Sequence, residues 1–555
     1  MRVLGPQVMQ ERMNPRPPTP SKSRHSPAGT KGVPAWAPFT HRTFAIIWLA
    51  TVVSNIGAWM YNVATGWLMV SIDANPLTVS MVQVSNTLPM FLFAIPAGAL
   101  VDIIDQRRLL IAGETAYTVT SMAFAVLVWL HLMGTASLLI LSFLVSVGAA
   151  LTAPAWQAIV TQLVPKPELQ SAVAANSVGI NISRAVGPAL GGLLVVSFGL
   201  GAPFWINAVS NIDVVAALYW WRPPSKPVVP LPAESFSSGV RTGLRHARYN
   251  PYLGATLIRT IGFFLFASAY WALLPIVANR QIAGGAALYG VLLGAIGTAA
   301  VGTAFVLRRL RSRLGANWLV AVASIMTGVA TALFAVAHRP LTAIAASLLA
   351  GASWICAVSS LNVSAQVSLP DWVRGRGLAT YVTVMFGALT VGSAIWGQLA
   401  TSWGVPTALF IAGAGAVLAV PMTWRWKLQL GEHVDFSPSL QWPAPVTTHA
   451  VEPDRGPVLV TIEYKIHPNE REAFLNALAS ASGGRRREGA YNCGIFEDPN
   501  EEGRFVETFM TDSWLEHLWQ HRRVTKADEL VLYSVRQFHV GEGPKATHLI
   551  AAARR

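Results

Sequence analysis

The chain alternates between long apolar runs and short polar breaks. About 20 consecutive apolar residues carry a helix across the hydrocarbon core of a bilayer. Six runs of that length fill the first part: Phe44–Val70, Thr78–Leu100, Leu109–Leu132, Ala136–Val160, Leu169–Ser197 and Ala202–Trp221. Six more follow: Tyr252–Ala278, Ala286–Leu307, Ala316–Ala337, Leu341–Val367, Gly377–Ser402 and Pro406–Trp424. The pattern predicts an all-α polytopic membrane protein of twelve spans. Its expected parts are a tail (1–42), a six-helix bundle (43–222), a central loop (223–250), a second six-helix bundle (251–426) and a linker (427–456). The tail is polar and proline-rich and is expected to be disordered. Its charges precede no short apolar stretch of the kind that marks a cleaved signal.

From Gly456 the period changes. Val458–Tyr464 alternates like a strand and Glu470–Ala481 has helical spacing. Tyr491–Phe496 and Arg504–Met510 read as strands around a turn-rich stretch, Trp514–Phe538 as a helix, and His548–Ala551 as a last strand. The order βαββαβ predicts a small α+β, ferredoxin-like domain over residues 457–552.

Composition agrees with lipid as the main solvent. Charged residues make up 12% of the chain and hydrophobic ones 53%, against about 25% charged in soluble domains. The net charge of +14 does not call for nucleic acid, because it lies in alternate short loops. Arg107 and Arg108, Lys166, Arg222 to Arg248, Arg308 to Arg313, and Arg374 with Arg376 share one side with the basic tail, while the other side carries only Arg280 and Arg339. The positive-inside rule then puts both termini in the cytoplasm and the chain in the inner membrane. Cys356 and Cys493 support neither a disulfide framework nor a CxxC site. No GxxxxGK[ST] loop for ATP is present.

A shift of 205 residues aligns Pro165 with Pro370, Gly187 with Gly392, Gly192 with Gly397 and Gly199 with Gly404. These positions fall in or directly beside the fifth and eleventh spans, so the halves read as two parallel six-helix repeats, an architecture of secondary transporters. The loop after the second span runs Pro96-Ala-Gly98-Ala-Leu-Val-Asp102-Ile-Ile-Asp105-Gln-Arg107-Arg108. It resembles the signature loop of the major facilitator superfamily, with Ile103 where that pattern has a base. By that resemblance Gly98, Asp102, Asp105, Arg107 and Arg108 form a cytoplasmic gate. The fifth span carries Arg184-Ala-Val-Gly187-Pro188-Ala-Leu-Gly191-Gly192. This resembles the motif of drug and antiporter-type exporters, with Ser183 in place of an upstream glycine. Together with Ser54 to Trp59 and the tail from Gly456, these stretches are similar to the enterobactin-exporter-like drug:proton antiporters, in the subset called transmembrane secretion effectors. The resemblance implies proton-coupled efflux of an amphipathic drug or siderophore.

Four charged residues fall inside spans: Glu114, Arg184, Asp213 and Arg259. Each costs about 2.5–3.5 kcal/mol at the bilayer centre unless paired or wetted. Asp213 or Glu114 is the expected proton carrier, with Arg184 answering its charge and Arg259 a further candidate for coupling; a structural Arg184–Asp213 ion pair is the rival expectation. Asn55, Trp59, Asn62, Phe263 and Trp271 are candidates to line the substrate cavity.

The terminal domain resembles the small dimeric barrels of cofactor-free monooxygenases and haem-degrading enzymes. An enzymatic role would use His517 and His521, one helical turn apart, with Asn492 or Trp514 nearby. Two histidines make a weak metal signal, so neither a metal nor a cofactor is expected. Homodimerisation through this domain, or regulation by it, is the preferred role. The sequence thus points to a secondary active exporter, whose partners are a small-molecule substrate, protons and the lipid membrane. An uptake permease of the same fold and a membrane-anchored monooxygenase are the alternatives.

Overall fold

The computed structural model describes residues 34, 36–222, 245–370, 372–429, 451–452 and 454–552, the side chains of Ala99, Asp102, Ile103 and Arg522 excepted. Most of the tail expected over 1–42, of the central loop and of the linker lies outside the described residues. The apolar runs of the first half become helices α1 (Arg42–Ile72), α2 (Pro76–Ile103), α3 (Gln106–Trp129), α4 (Thr135–Leu163), α5 (Leu169–Phe198) and α6 (Gly201–Trp220). The second half gives α7 (Pro251–Ile276), α8 (Gly285–Ala335), α9 (Pro340–Val367), α10 (Arg374–Trp403) and α11 (Val405–Thr423).

Among the described residues, ten helices are long and apolar enough to cross a membrane, two fewer than the sequence pattern predicts. Both differences have a physical cause. Helix α8 has 51 residues, about 77 Å at 1.5 Å per residue, more than twice the hydrocarbon thickness. Gly315 breaks it at φ 72° and ψ 164°, a left-handed region open mainly to glycine. Its two legs are the eighth and ninth spans, joined without a loop. Helix α6 carries Asn207, Asn211 and Asp213 within 20 residues, which lowers its hydropathy. It packs along α1 and α3 all the same.

The internal repeat is visible in the backbone. Helix α5 ends at Gly199 (φ 81°, ψ 171°) and α10 at Gly404 (φ 85°, ψ 154°), the same turn 205 residues apart. Helix α5 packs along the first leg of α8, and α10 along α2. These are the fifth span on the eighth and the eleventh on the second, exchanged by the repeat. The two bundles therefore meet along two equivalent seams.

The C-terminal domain has β1 (Val458–Lys465), α12 (Arg471–Arg487), β2 (Tyr491–Glu497), β3 (Arg504–Thr511), α13 (Trp514–Arg523), α14 (Lys526–Arg536) and β4 (Lys545–Ile550). The sheet is antiparallel in the order β2-β3-β1-β4, as a ferredoxin-like unit requires. The single helix expected over Trp514–Phe538 is two. Thr525, extended at φ −96° and ψ 164°, stops the first and caps the second in a box with Asp528. Val458, Val460, Ile462 and Tyr464 of β1 alternate inward and pack with Phe474, Leu478, Phe505 and Phe509 into a separate core.

Candidate functional site

In the first bundle, α3 places Glu114 in a buried polar network. The Trp156 indole of α4 donates to Glu114 Oε1 at 2.7 Å. Asn211 of α6 donates to the Glu114 carbonyl (3.2 Å) and to Thr118 Oγ1 (2.6 Å), and its own Oδ1 accepts from Ser54 of α1 at 3.0 Å. One turn away Tyr117 donates to Asn207, which donates to Ser121. The amides of α6 thus serve helix–helix bonding around a carboxylate whose hydrogen-bond partners are all neutral. Asp213 stands elsewhere: it is exposed on the outer face of α6. Asp213 and Arg184 form no ion pair in the structure, because Asp213 follows Asn211 by two residues and so leaves the buried face that Asn211 occupies.

Arg184 lies instead over Trp59 of α1, its guanidinium carbon 5.7 Å from the ring centroid. It is half-buried at the seam where α5 meets α8. The backbone carbonyl of Arg184 would stand 2.5 Å from a Cβ added at Gly297, and that of Pro188 2.7 Å from one at Gly290. Gly187 admits Trp59 in the same manner, with 2.5 Å between an added Cβ and the Trp59 Cβ. The exporter-type motif therefore brings three helices to backbone contact and leaves the Arg184 head on an aromatic face. On α7, Tyr270 is buried. Beside it Trp271, Phe263 and Phe264 converge on Trp354 of α9, with centroids 5.3, 6.4 and 5.2 Å away. Trp354 was not among the residues singled out from sequence; only its apolar span marked it. Asn55 and Asn62 are half-buried on α1.

Arg259 is buried at one end of α7. It donates to the Asn317 carbonyl at 3.2 Å and sits 5.5 Å from the Trp424 ring. Asn317 lies two residues past the Gly315 break, and its Oδ1 accepts from Leu428 N. Arg259 thus ties α7 to the second leg of α8 and to the end of α11. In the signature loop, Asp105 caps α3 by accepting from Arg108 N at 3.0 Å. Arg107 donates to the Leu218 and Tyr219 carbonyls at 3.0 and 2.7 Å, capping α6 within its own bundle. Gly98 faces Ala379 of α10, with 3.7 Å to an added Cβ, an ordinary contact. The Arg108 side chain is exposed, and that of Asp102 lies outside the described residues.

The C-terminal domain rests on the second bundle. Arg245, in the short helical turn 245–249, donates to the Gly489 carbonyl and stands 3.8 Å from Asp512. Arg523 of α13 lies over Trp372, 4.5 Å from the ring centroid. His246 meets the same indole edge-on at 5.5 Å. Burial, then the Arg487 charge, pushes His246 down to about 3. Within the domain, Arg485 and Glu507 form a buried ion pair at 2.6 Å, and Tyr464 donates to Glu507 at 3.1 Å. Of the residues weighed for an enzymatic role, Trp514 lies 5.6 Å from His517, and Asn492 sits on the edge strand β2, where its amide approaches Met510 Sδ at 3.8 Å.

The family model described as transmembrane secretion effector matches residues 33–555. The chain is 27% identical over 418 residues to the multidrug efflux pump Tap of Mycolicibacterium fortuitum, spanning 71% of this chain and 96% of that protein. It is 25% identical over 389 residues to the enterobactin exporter EntS of Salmonella typhi, spanning 68% and 91%. A solved POT family transporter in complex with 5-aminolevulinic acid superposes with a TM-score of 0.57 at 12% identity, over 69% of this chain and 95% of that one. At that identity the likeness concerns the fold alone.

Proposed function

This chain belongs to the transmembrane secretion effector family of major facilitator transporters, and on that premise we propose that it exports an amphipathic, anionic small molecule of the drug or siderophore kind by proton antiport and alternating access. It is a multi-pass membrane transporter rather than an anchored monooxygenase.

The reading rests chiefly on Arg184. Among the described residues no carboxylate pairs with this half-buried guanidinium, and a cation within a span is costly until its charge is answered. A substrate anion arriving between the bundles answers it, while Trp59, Trp271 and Trp354 offer apolar area to the rest of the molecule. Glu114 is the proton carrier in this scheme. Its network of neutral donors tolerates either protonation state, and it joins four helices of one bundle, so the proton biases that bundle's packing. The seams between α5 and α8 and between α2 and α10 are where the bundles rock. Both termini face the cytoplasm, following the basic loops.

The test uses inside-out vesicles with an acid interior. Anionic drugs and siderophores are added and collapse of the gradient is followed. Collapse in wild type and its loss in Glu114→Gln support the scheme. No collapse with any compound, at confirmed expression, overturns antiport.

A further inference from the structure

The sequence pairs His517 with His521, and the fold supplies a third imidazole. His548 lies opposite Val460 in the β4–β1 pairing, so it shares the inner face of the sheet with that buried valine. Helix α13 crosses this face with His517 and His521 on one side, one turn apart. The result is a cluster in which one ligand nitrogen from each histidine lies within 4.8 Å of the others. The closest pair is His517 Nε2 and His521 Nε2, 3.2 Å apart. The His517 and His548 rings stand 4.8 Å centroid to centroid.

We propose that His517, His521 and His548 form a three-imidazole site for a divalent first-row transition metal ion, with Zn2+ as the reference occupant. Two imidazole nitrogens bound to Zn2+ at 2.0–2.1 Å in tetrahedral geometry stand about 3.3 Å apart, close to the spacing of His517 and His521. A side-chain rotation of His548 brings its nitrogen to the third vertex. Imidazole suits zinc, copper, iron and nickel, and excludes calcium and magnesium, which prefer oxygen. Three neutral protein ligands leave the fourth position to water or a small anion, as in open zinc sites.

The surroundings fit. His517 is buried, whereas His521 and His548 are half-exposed and give the ion a way in. Trp514 closes the other side, 5.6 Å from His517 and 6.3 Å from His548. Two nearby cations of the described residues are compensated: Arg485 pairs with Glu507 and Arg523 with Glu516. The site is also well placed to be sensed, because α13, which carries two of the ligands, ends at the Arg523 that lies over Trp372.

The experiment uses the full chain in detergent, carrying no histidine tag, stripped with chelator and titrated with Co2+. The expected result is one equivalent bound per chain, with visible d–d bands of a tetrahedral nitrogen site that Zn2+ abolishes. His517→Ala, His521→Ala and His548→Ala should each weaken binding about tenfold or more, and His467→Ala should not. His548→Cys guards against simple unfolding of the alanine variant: a thiolate-to-cobalt charge-transfer band appears only if residue 548 binds the ion. No saturable Co2+ site in the wild type overturns the proposal. So does unchanged affinity in all three alanine variants, or a bound His548→Cys protein lacking the charge-transfer band.

Discussion

Two carboxylates of similar sequence standing, Glu114 and Asp213, end in opposite settings. Glu114 accepts the Trp156 indole proton in the centre of a bundle, while Asp213 faces outward. Glu114→Gln is expected to abolish substrate-induced proton flux, and Asp213→Asn to leave it within about twofold of wild type, both read in the vesicle assay. Equal loss in the two would return Asp213 to the mechanism. Arg184→Gln should raise the half-saturating concentration of an anionic substrate about tenfold or more, the scale of a lost charge-assisted hydrogen bond. A neutral substrate should be affected much less, and tryptophan quenching in detergent measures both. The sequence named the charged residues of the spans but not their facing. A one-residue step turns a side chain through 100°, and inside a membrane apolar neighbours cover every side. Nor could it show that Arg107 caps α6 instead of crossing to the other bundle.

At the level of elements, backbone contact carries the argument. Gly290 and Gly297 have no room for a Cβ, while Gly302, on the same leg of α8, has nothing within 4 Å of one. Gly297→Val should therefore force α5 and α8 apart, at about 1–3 kcal/mol for overpacking, with a matching loss of transport. Gly302→Val should leave both untouched, as thermal unfolding and flux would show. In the C-terminal domain, Glu507→Ala strands Arg485 in the core and is expected to cost about 3–5 kcal/mol. Limited proteolysis of the full chain against urea reads this, because the domain should then be cut at lower urea. Spans were legible in the sequence because lipid demands about 20 apolar residues in a row, and strands because burial against one sheet face imposes a period of two. The joined eighth and ninth spans were not, since four arginines near the break suggested a loop where Gly315 supplies only a kink. His548 was missed as a partner of His517 for a related reason: the pairing of β4 with β1 spans about ninety residues, and only the closed sheet reveals it.

For the whole molecule, the contacts that seat the C-terminal domain are expected to weaken in acid. His246 sits between Trp372, Asn250, Arg487, Asp528 and Arg523. Docked, its proton affinity falls to about 3, against about 6.5 when free. The part of its contribution that the domain supplies is therefore complete above pH 6.5 and is lost as pH falls from there towards 3. Energy transfer between dyes on the domain and on the second bundle should drop on acidification, and His246→Asn should flatten that response. Glu488, pushed up to about 8 by burial and then by Asp528, runs the other way. Its contribution to the fold is complete below about 4.5 and is lost as pH rises to about 8. Because it lies among the domain's own residues, it should register in the melting of the domain rather than in the distance.

The seat of that domain has a mechanical corollary. Residues 245–249 lead into the seventh span, and Trp372 stands just before the eleventh, so both footholds belong to the second bundle. A rigid body bolted to one jaw of a two-jawed clamp turns with that jaw. Under the rocking proposed above it would work as a pointer needle, converting a small tilt inside the bilayer into a wider arc outside it, where a protein, a probe or a bound ion could read the tilt without touching the cargo.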